Sequence, residues 1–293
     1  MKIQKSPLRY PGSKSDLSPY VEKVIHNNDL NGCHLIEPFA GGASISLTLL
    51  QKGIVGKVTL LEFDPLVYCF WESVFKYTDQ LCEMIEETPI TIGVWERFQI
   101  YKGIDIPLKN NILELGFAGL FLNRTSFSGI LKGGPLGGKE QLSTYKIDCR
   151  FNKQKIIETI KFISLFSDRV NVKWGNSLKY LSNLKKKTSQ EKTFLYVDPP
   201  YYDKGKSLYR KYFTERDHKA LYRRLTSLQY PWLLSYDDCP FITYLYSHSK
   251  TDLKKQNLFF DYSAGGSKKK QEILISNLEI PPIAHVKNES III

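Results

Sequence analysis

An α/β fold, with a mainly parallel sheet and a helical insertion near its middle, is predicted by three features of the sequence. The chain opens in the order strand, helix, strand, helix; the alternation lapses from about Val67 to Arg150; it then resumes and closes on two adjacent strand-like segments. That rhythm assigns 1–66 and 151–293 to one domain and 67–150 to an inserted subdomain.

The first strand is His34 to Glu37, followed by a glycine-containing turn and a helix from about Ser44 to Lys52 that stops at Gly53. A second strand, "KVTLLE", ends at Glu62. Asp64 and Pro65 suit the start of the next helix, whose apolar face repeats at Leu66, Phe70, Val74 and Phe75. Within the insertion, "NNILELGFAGLFL" has helical character, and Gly133-Gly134 and Gly137-Gly138 predict a hairpin or mobile loop. The rhythm then returns: "KQKIIETIKFISLFSD" as a helix, "VNVKW" as a strand, a strand ending at Val197, a helix near "ERDHKALYRRLTSL" and the strand "PWLLSY". The tail "NLFFDYSAGGSKKKQEILISN" reads as an antiparallel edge hairpin around a basic loop.

Composition narrows the function. With 293 residues, 42% hydrophobic and 24% charged, the chain has the makeup of a globular protein. It shows no apolar run long enough for a membrane span and no signal-peptide core, so the expected location is the cytoplasm. Five scattered cysteines without a C-x-x-C pair argue against a disulfide framework or a zinc site. The net charge of +11 is unevenly spread: Leu66 to Ala118 holds 4 Lys/Arg against 8 Asp/Glu, whereas Gly119 to Lys187 holds 14 against 4. Lys204 to Arg224 forms a further basic window. Basic clusters interleaved with Tyr, Phe and Asn suit a phosphate-tracking surface, although a solvated basic face would look the same. The five histidines are isolated from one another, and only His218 lies near a segment with chemical character.

That character sits at strand ends. In an open α/β sheet, ligands bind outside the carboxyl ends of the strands, and Glu37, Glu62 and Asp198 end three of them. Gly41 and Gly42 would let the backbone approach a ligand, and Glu62 could accept from a ribose diol or serve as a local cap. No G-x-G-x-x-G or Walker loop is present. Asp198-Pro199-Pro200-Tyr201 is more specific: two prolines end a strand, stiffen the turn and leave carbonyls without neighbouring donors. Such a turn suits an exocyclic amine, held by the Asp198 carboxylate and a proline carbonyl, with Tyr201 stacking on a flat ring. A strand-terminating turn with aspartate as cap is the plainer alternative.

Together, Asp198-Pro199-Pro200-Tyr201, "EPFAGGAS", "LRYPGSKS" (8–15), "FLNRTSFSGI" (121–130), "SLYRKYFTERDH", "SYDDCP" and "YSAGGSKKKQEILISN" resemble the motifs of Dam-like DNA adenine-N6 methyltransferases, in order along nearly the whole chain. The resemblance implies a Rossmann-like S-adenosylmethionine-dependent methyltransferase sheet whose insertion recognises the target. It implies that Tyr10, Lys14, Glu37, Phe39, Ala40, Gly41, Gly42, Ser44, Glu62, Asn176 and Asp198 surround S-adenosylmethionine, and that Asp198 to Tyr201 receive a flipped adenine. Glu62 and Asn176 replace the aspartates more usual at their positions; the Asn176 carbonyl is expected to accept from the cofactor's adenine amine. Double-stranded DNA is the expected partner, contacted by Asn123, Arg124, Lys132, Lys139, Lys146, Lys204, Lys206 and Arg210. For a restriction-modification member, a cognate endonuclease would be a second partner; the expected state is a monomer or weak dimer. Direct methyl transfer would require no metal. Two other functions fit less of the sequence: amino-methylation of cytosine N4 or RNA, and a non-catalytic DNA-binding subunit with the same fold.

Overall fold

The computed structural model describes residues 3–107, 109–184, 192–261 and 269–282. The basic run at 185–187, and 262–268 within the basic loop of the tail, lie outside the described residues.

Seven strands form one sheet: β1 (His34–Glu37), β2 (Lys57–Glu62), β3 (Val170–Trp174), β4 (Thr193–Val197), β5 (Trp232–Asp237), β6 (Lys254–Asp261) and β7 (Lys269–Ser276). Their spatial order is β3-β2-β1-β4-β5-β7-β6. The first five are mutually parallel, and β7 runs antiparallel to both β5 and β6, as the tail's hairpin pattern predicts. The chain moves outward from β1 to β2 and β3, then returns to place β4 on the other side of β1. This reversal opens a crevice at the carboxyl ends of β1 and β4, where open α/β sheets bind ligands.

The two-residue period of the strands explains the layers. Leu35, Phe194 and Tyr196 face one core, whereas Ile36, Leu195 and Val197 face the other. The first core is covered by α1 (Ser18–Asn27), α2 (Ser44–Gln51), α3 (Pro65–Lys76), α4 (Thr78–Glu87), α5 (Ile92–Phe98), α6 (Ile112–Thr125) and α7 (Lys153–Ser164). The second is covered by α8 (Ser177–Asn183), α10 (Glu215–Ser227) and α11 (Pro240–Ser247); the short α9 (Gly205–Leu208) lies in the loop after β4.

Helix α3 starts as its sequence predicts, with Pro65 in the first turn and the Asp64 side chain accepting from Leu66 N at 3.0 Å. It packs on β2, β3 and α6, so the segment between β2 and β3 shares the core of the sheet. A Cβ on Gly116 or Gly119 of α6 would lie 2.5 or 2.6 Å from the Cys69 or Leu66 carbonyl, so these glycines let α6 lie directly on α3. Beyond α6, the glycine-rich segment folds back to an antiparallel bridge between Ser126 and Pro135. Among the described residues, no helix is long and apolar enough to cross a membrane.

Candidate active site

A cavity with about 1030 Å3 of free space, continuous with solvent, lies along the carboxyl ends of β4, β1, β2 and β3. All eleven residues expected around the cofactor line it: Tyr10, Lys14, Glu37, Phe39, Ala40, Gly41, Gly42, Ser44, Glu62, Asn176 and Asp198. Pro200 joins them. Pro199 is buried behind it and does not line the cavity.

The loop after β1 is held from three directions. Tyr10 lies across it so closely that a Cβ on Gly41 would be 2.7 Å from the Tyr10 ring, and Gly41 adopts φ +46°. Trp71 Nε1 donates to the Gly41 carbonyl at 2.9 Å, while Gly41 N donates to Glu62 Oε2 at 2.8 Å. Ala43, at φ +50°, then turns the chain into α2 in a conformation that costs a non-glycine residue of order 1 kcal/mol. The fixed surroundings of the loop sustain that strain.

Glu62 holds two loops at once. Its other oxygen accepts from Phe63 N and Asp64 N, each at 2.8 Å, so three backbone donors fix one carboxylate. Burial still raises its pKa to about 7. Glu37, deeper at the end of β1, accepts from Ser46 Oγ at 2.5 Å, and burial raises it to about 8. Asn176 caps α8: its Oδ1 accepts from Lys179 N at 3.0 Å, which turns that carbonyl toward the helix. Its role as cap is therefore met inside the protein, and the expected carbonyl bond to an adenine amine would have to use the remaining lone pair.

At the other end, Asp198 accepts from Ser235 Oγ at 2.9 Å and pairs with Lys14 Nζ at 3.1 Å. Burial raises the Asp198 carboxyl, opposed by Lys14. Lys14, with only 4% of its side chain exposed, also donates to Tyr201 Oη at 2.9 Å and to the Gly12 carbonyl at 3.1 Å. The Tyr201 ring is buried beneath Gly12 and Lys14, not open to the cavity as expected for stacking on a base. The rings that do line the cavity include Tyr10, Tyr209, Tyr212, Phe39, Phe63 and Phe213. Phe39 and Phe213 meet edge to face with centroids 5.4 Å apart.

Several members went unassigned in the sequence. Phe63 and Lys211 line the cavity, and Tyr209 stacks on Tyr10 at 5.9 Å. Asp237 Oδ1 and Oδ2 accept from Tyr202 N and Asp203 N at 3.0 and 3.2 Å, so β5 holds the turn that follows Tyr201. Ser235 and Asp237 belong to "SYDDCP", which marked the segment without showing which of its side chains would reach Asp198. His218 is buried against Tyr202 and Phe213, hydrogen-bonded through Nδ1 to the Tyr236 hydroxyl, and burial lowers its pKa to about 4. It lies outside the cavity lining as a neutral packing residue.

Three of the eight residues expected on the DNA face turn inward instead. Asn123 is buried, accepting from Arg9 N at 2.7 Å and donating to the Gly129 carbonyl at 2.8 Å. Arg124 donates to the Pro7 carbonyl at 2.6 Å and the Arg150 carbonyl at 3.3 Å, with burial lowering its pKa to about 10. Arg210, 7% exposed, pairs with Asp64 Oδ1 at 2.7 Å and donates to the carbonyls of Lys102 and Ile104. These side chains brace the N-terminal segment, the insertion and the loop after β4 against one another. Lys132, Lys139, Lys146, Lys204 and Lys206 are exposed, and Lys132 ties the insertion to that loop through the carbonyls of Lys206 and Tyr209.

A mostly parallel sheet with its reversal at β1 and β4, and a cavity lined by acids at successive strand ends, define an open α/β fold with a ligand-sized cleft. A family model, D12 class N6 adenine-specific DNA methyltransferase, matches residues 10–260, and the chain belongs to that family. It is an adenine-specific DNA methyltransferase. No curated protein matches the chain in sequence.

Proposed function

We propose that this chain transfers the methyl group of S-adenosylmethionine to N6 of an adenine extruded from a specific duplex DNA sequence. The observation that carries the reading is the line Asp198, Glu37, Glu62, Asn176 along one cavity, set by the strand order β4-β1-β2-β3. Three inter-strand steps of about 4.8 Å span roughly 14 Å, room for an amino-acid tail, a ribose and a purine laid end to end. The residues fit those three parts: buried acids for an ammonium and a diol, and aromatic rings near Asn176 for a flat base. When bound, the cofactor supplies a sulfonium whose methyl group is electron-poor.

Asp198 and a proline carbonyl of the same turn, which Pro200 brings to the cavity, accept the two N–H bonds of the target amine and orient its lone pair. The bound cofactor would supply the methyl group, and the Asp198 carboxylate would take the surplus N6 proton. Burial favours that proton, since it raises the Asp198 pKa. Extruding the base costs a few kcal/mol. Phosphate contacts from Lys132, Lys139, Lys146, Lys204 and Lys206 offset it, while Lys132 joins the two loops that carry them.

Purified protein with methyl-labelled S-adenosylmethionine and mixed-sequence duplex DNA is expected to yield N6-methyladenine. Label on cytosine alone, or on RNA alone, would overturn the proposal.

A further inference from the structure

Beyond the residues matched by the family model lies a buried carboxylate that faces the amine pocket. Glu272 is on β7, where the register pairs it with Asp237 at the carboxyl end of β5. Its side chain is 2% exposed. Tyr201 Oη donates to Glu272 Oε1 at 3.0 Å, and Lys14 Nζ lies 3.4 Å from Oε2. Two carboxylates, Asp198 and Glu272, thus share one buried ammonium. An additional buried charge costs stability compared with an apolar residue, so stability alone gives no reason for it.

The hydrogen-bond count supplies one. An ammonium has three hydrogens. Around Lys14 Nζ stand four acceptor groups: Gly12 O at 3.1 Å, Tyr201 Oη at 2.9 Å, the Asp198 carboxylate with Oδ1 at 3.1 Å and Oδ2 at 3.4 Å, and Glu272 Oε2 at 3.4 Å. The first two take a hydrogen each, leaving Asp198 and Glu272 to compete for the third. Because the Tyr201 hydroxyl hydrogen goes to Glu272, its oxygen lone pairs remain turned toward Lys14.

We infer that Glu272 is a positioning residue for methyl transfer: it takes the third hydrogen of Lys14 when the target amine engages Asp198. The ammonium stays fully paired, and the Asp198 oxygen it vacates becomes an acceptor for the amine. Only a small rotation of the Lys14 head is needed, since both carboxylates are already within 3.4 Å of it. Without the second carboxylate, Lys14 stays on Asp198 and competes with the substrate. The inference rests on the reading of Asp198 as the amine acceptor.

Its test compares the full-length wild-type, Glu272→Gln and Glu272→Asp chains in single-turnover transfer. Binding of cofactor and DNA is measured alongside by calorimetry and fluorescence anisotropy. Glu272→Gln retains an acceptor for Tyr201 but loses the charge; it is expected to slow transfer by about 10- to 100-fold, the scale of misplacing a reacting group, with both affinities within about threefold. Glu272→Asp is expected to recover most of the rate. Lys14→Met supplies the control: because Glu272 acts through Lys14, adding Glu272→Gln to that variant should cost no more than about twofold. An equal loss in both backgrounds, a wild-type rate for Glu272→Gln, or a loss confined to cofactor affinity or folding would overturn the inference. Absence of N6-methyladenine with the wild-type chain would instead overturn the functional reading on which it rests.

Discussion

The two ends of the cleft hold their carboxylates by different means. Glu62, at the end of β2, is fixed by three backbone N–H groups from the loops after β1 and β2. Asp198, after β4, is held by the Ser235 hydroxyl and the Lys14 ammonium, both on rotatable side chains. Backbone donors in packed loops cannot swing away, so Glu62 presents one geometry to whatever binds beside it. Side-chain donors can be exchanged, so Asp198 can trade part of its pairing for an incoming amine. On the proposed function, this gives a fixed end for the cofactor and an adjustable end for the substrate.

The largest expected effect lies at the adjustable end. Asp198→Ala should reduce single-turnover transfer by about 10³-fold or more, as loss of a group acting on the reacting atoms does, while leaving cofactor affinity within about threefold. Parallel losses in both measurements would erase the distinction between the ends. Glu62→Ala should do the opposite. Three backbone donors, two of them in buried bonds, would lose their acceptor at about 1–3 kcal/mol for each buried one, so cofactor affinity should fall by about 100-fold and melting temperature should drop. At saturating cofactor the transfer rate should then stay within severalfold of wild type; a rate lost to the same degree would mean that Glu62 acts on the chemistry.

A smaller effect separates the inward basic residues from the outward ones. Substituting Lys132 and Lys139 together by alanine should lower the slope of log affinity against log salt by about 2, one for each phosphate that the variant no longer neutralises. Arg210→Ala should leave that slope unchanged yet destabilise the chain by about 3–5 kcal/mol in denaturant titration, because Asp64 would remain buried without its partner. An unchanged slope in the lysine variant would move the DNA face elsewhere.

The smallest effect is on pH dependence at the fixed end. Burial raises Glu37 from 4.5 to about 8, so the folded state binds its proton more tightly than the unfolded state does. The stabilisation is complete below 4.5 and is lost as pH rises through about 8. Glu37→Gln keeps an acceptor for Ser46 without the charge. Its melting temperature should gain on wild type across that rise, and parallel curves would contradict the assignment.

The same contrast governs what could be read from the sequence. The strand-end acids were legible because a strand's end and the following turn are local patterns: "HLIE", "KVTLLE" and the run into Asp198-Pro199-Pro200 each carry their own boundary. The part of the cavity lining built from the residues directly after those strands was therefore readable nearly in full. The bracing residues were not. Asn123, Arg124 and Arg210 have the chemistry of base and phosphate readers, but their partners are the Asp64 carboxylate and backbone groups at Pro7, Arg9, Lys102 and Ile104, distant in sequence and invisible to any spacing rule. Tyr201 reads as an open stacking ring because nothing in the sequence shows Gly12 and Lys14 lying over it. Glu272 was hidden for a related reason: it stands in an apolar edge-strand pattern, and only the β5–β7 pairing brings it to the amine pocket.

The central claim is that the turn after β4 selects adenine N6 in DNA. Its most direct test is modification-sensitive sequencing of DNA from cells producing either the wild-type chain or Asp198→Ala. N6-methyladenine is expected at one recurring sequence with the wild-type chain and is expected to be absent with the variant. Methylated cytosine in place of adenine, or an unchanged adenine signal in Asp198→Ala, would contradict it.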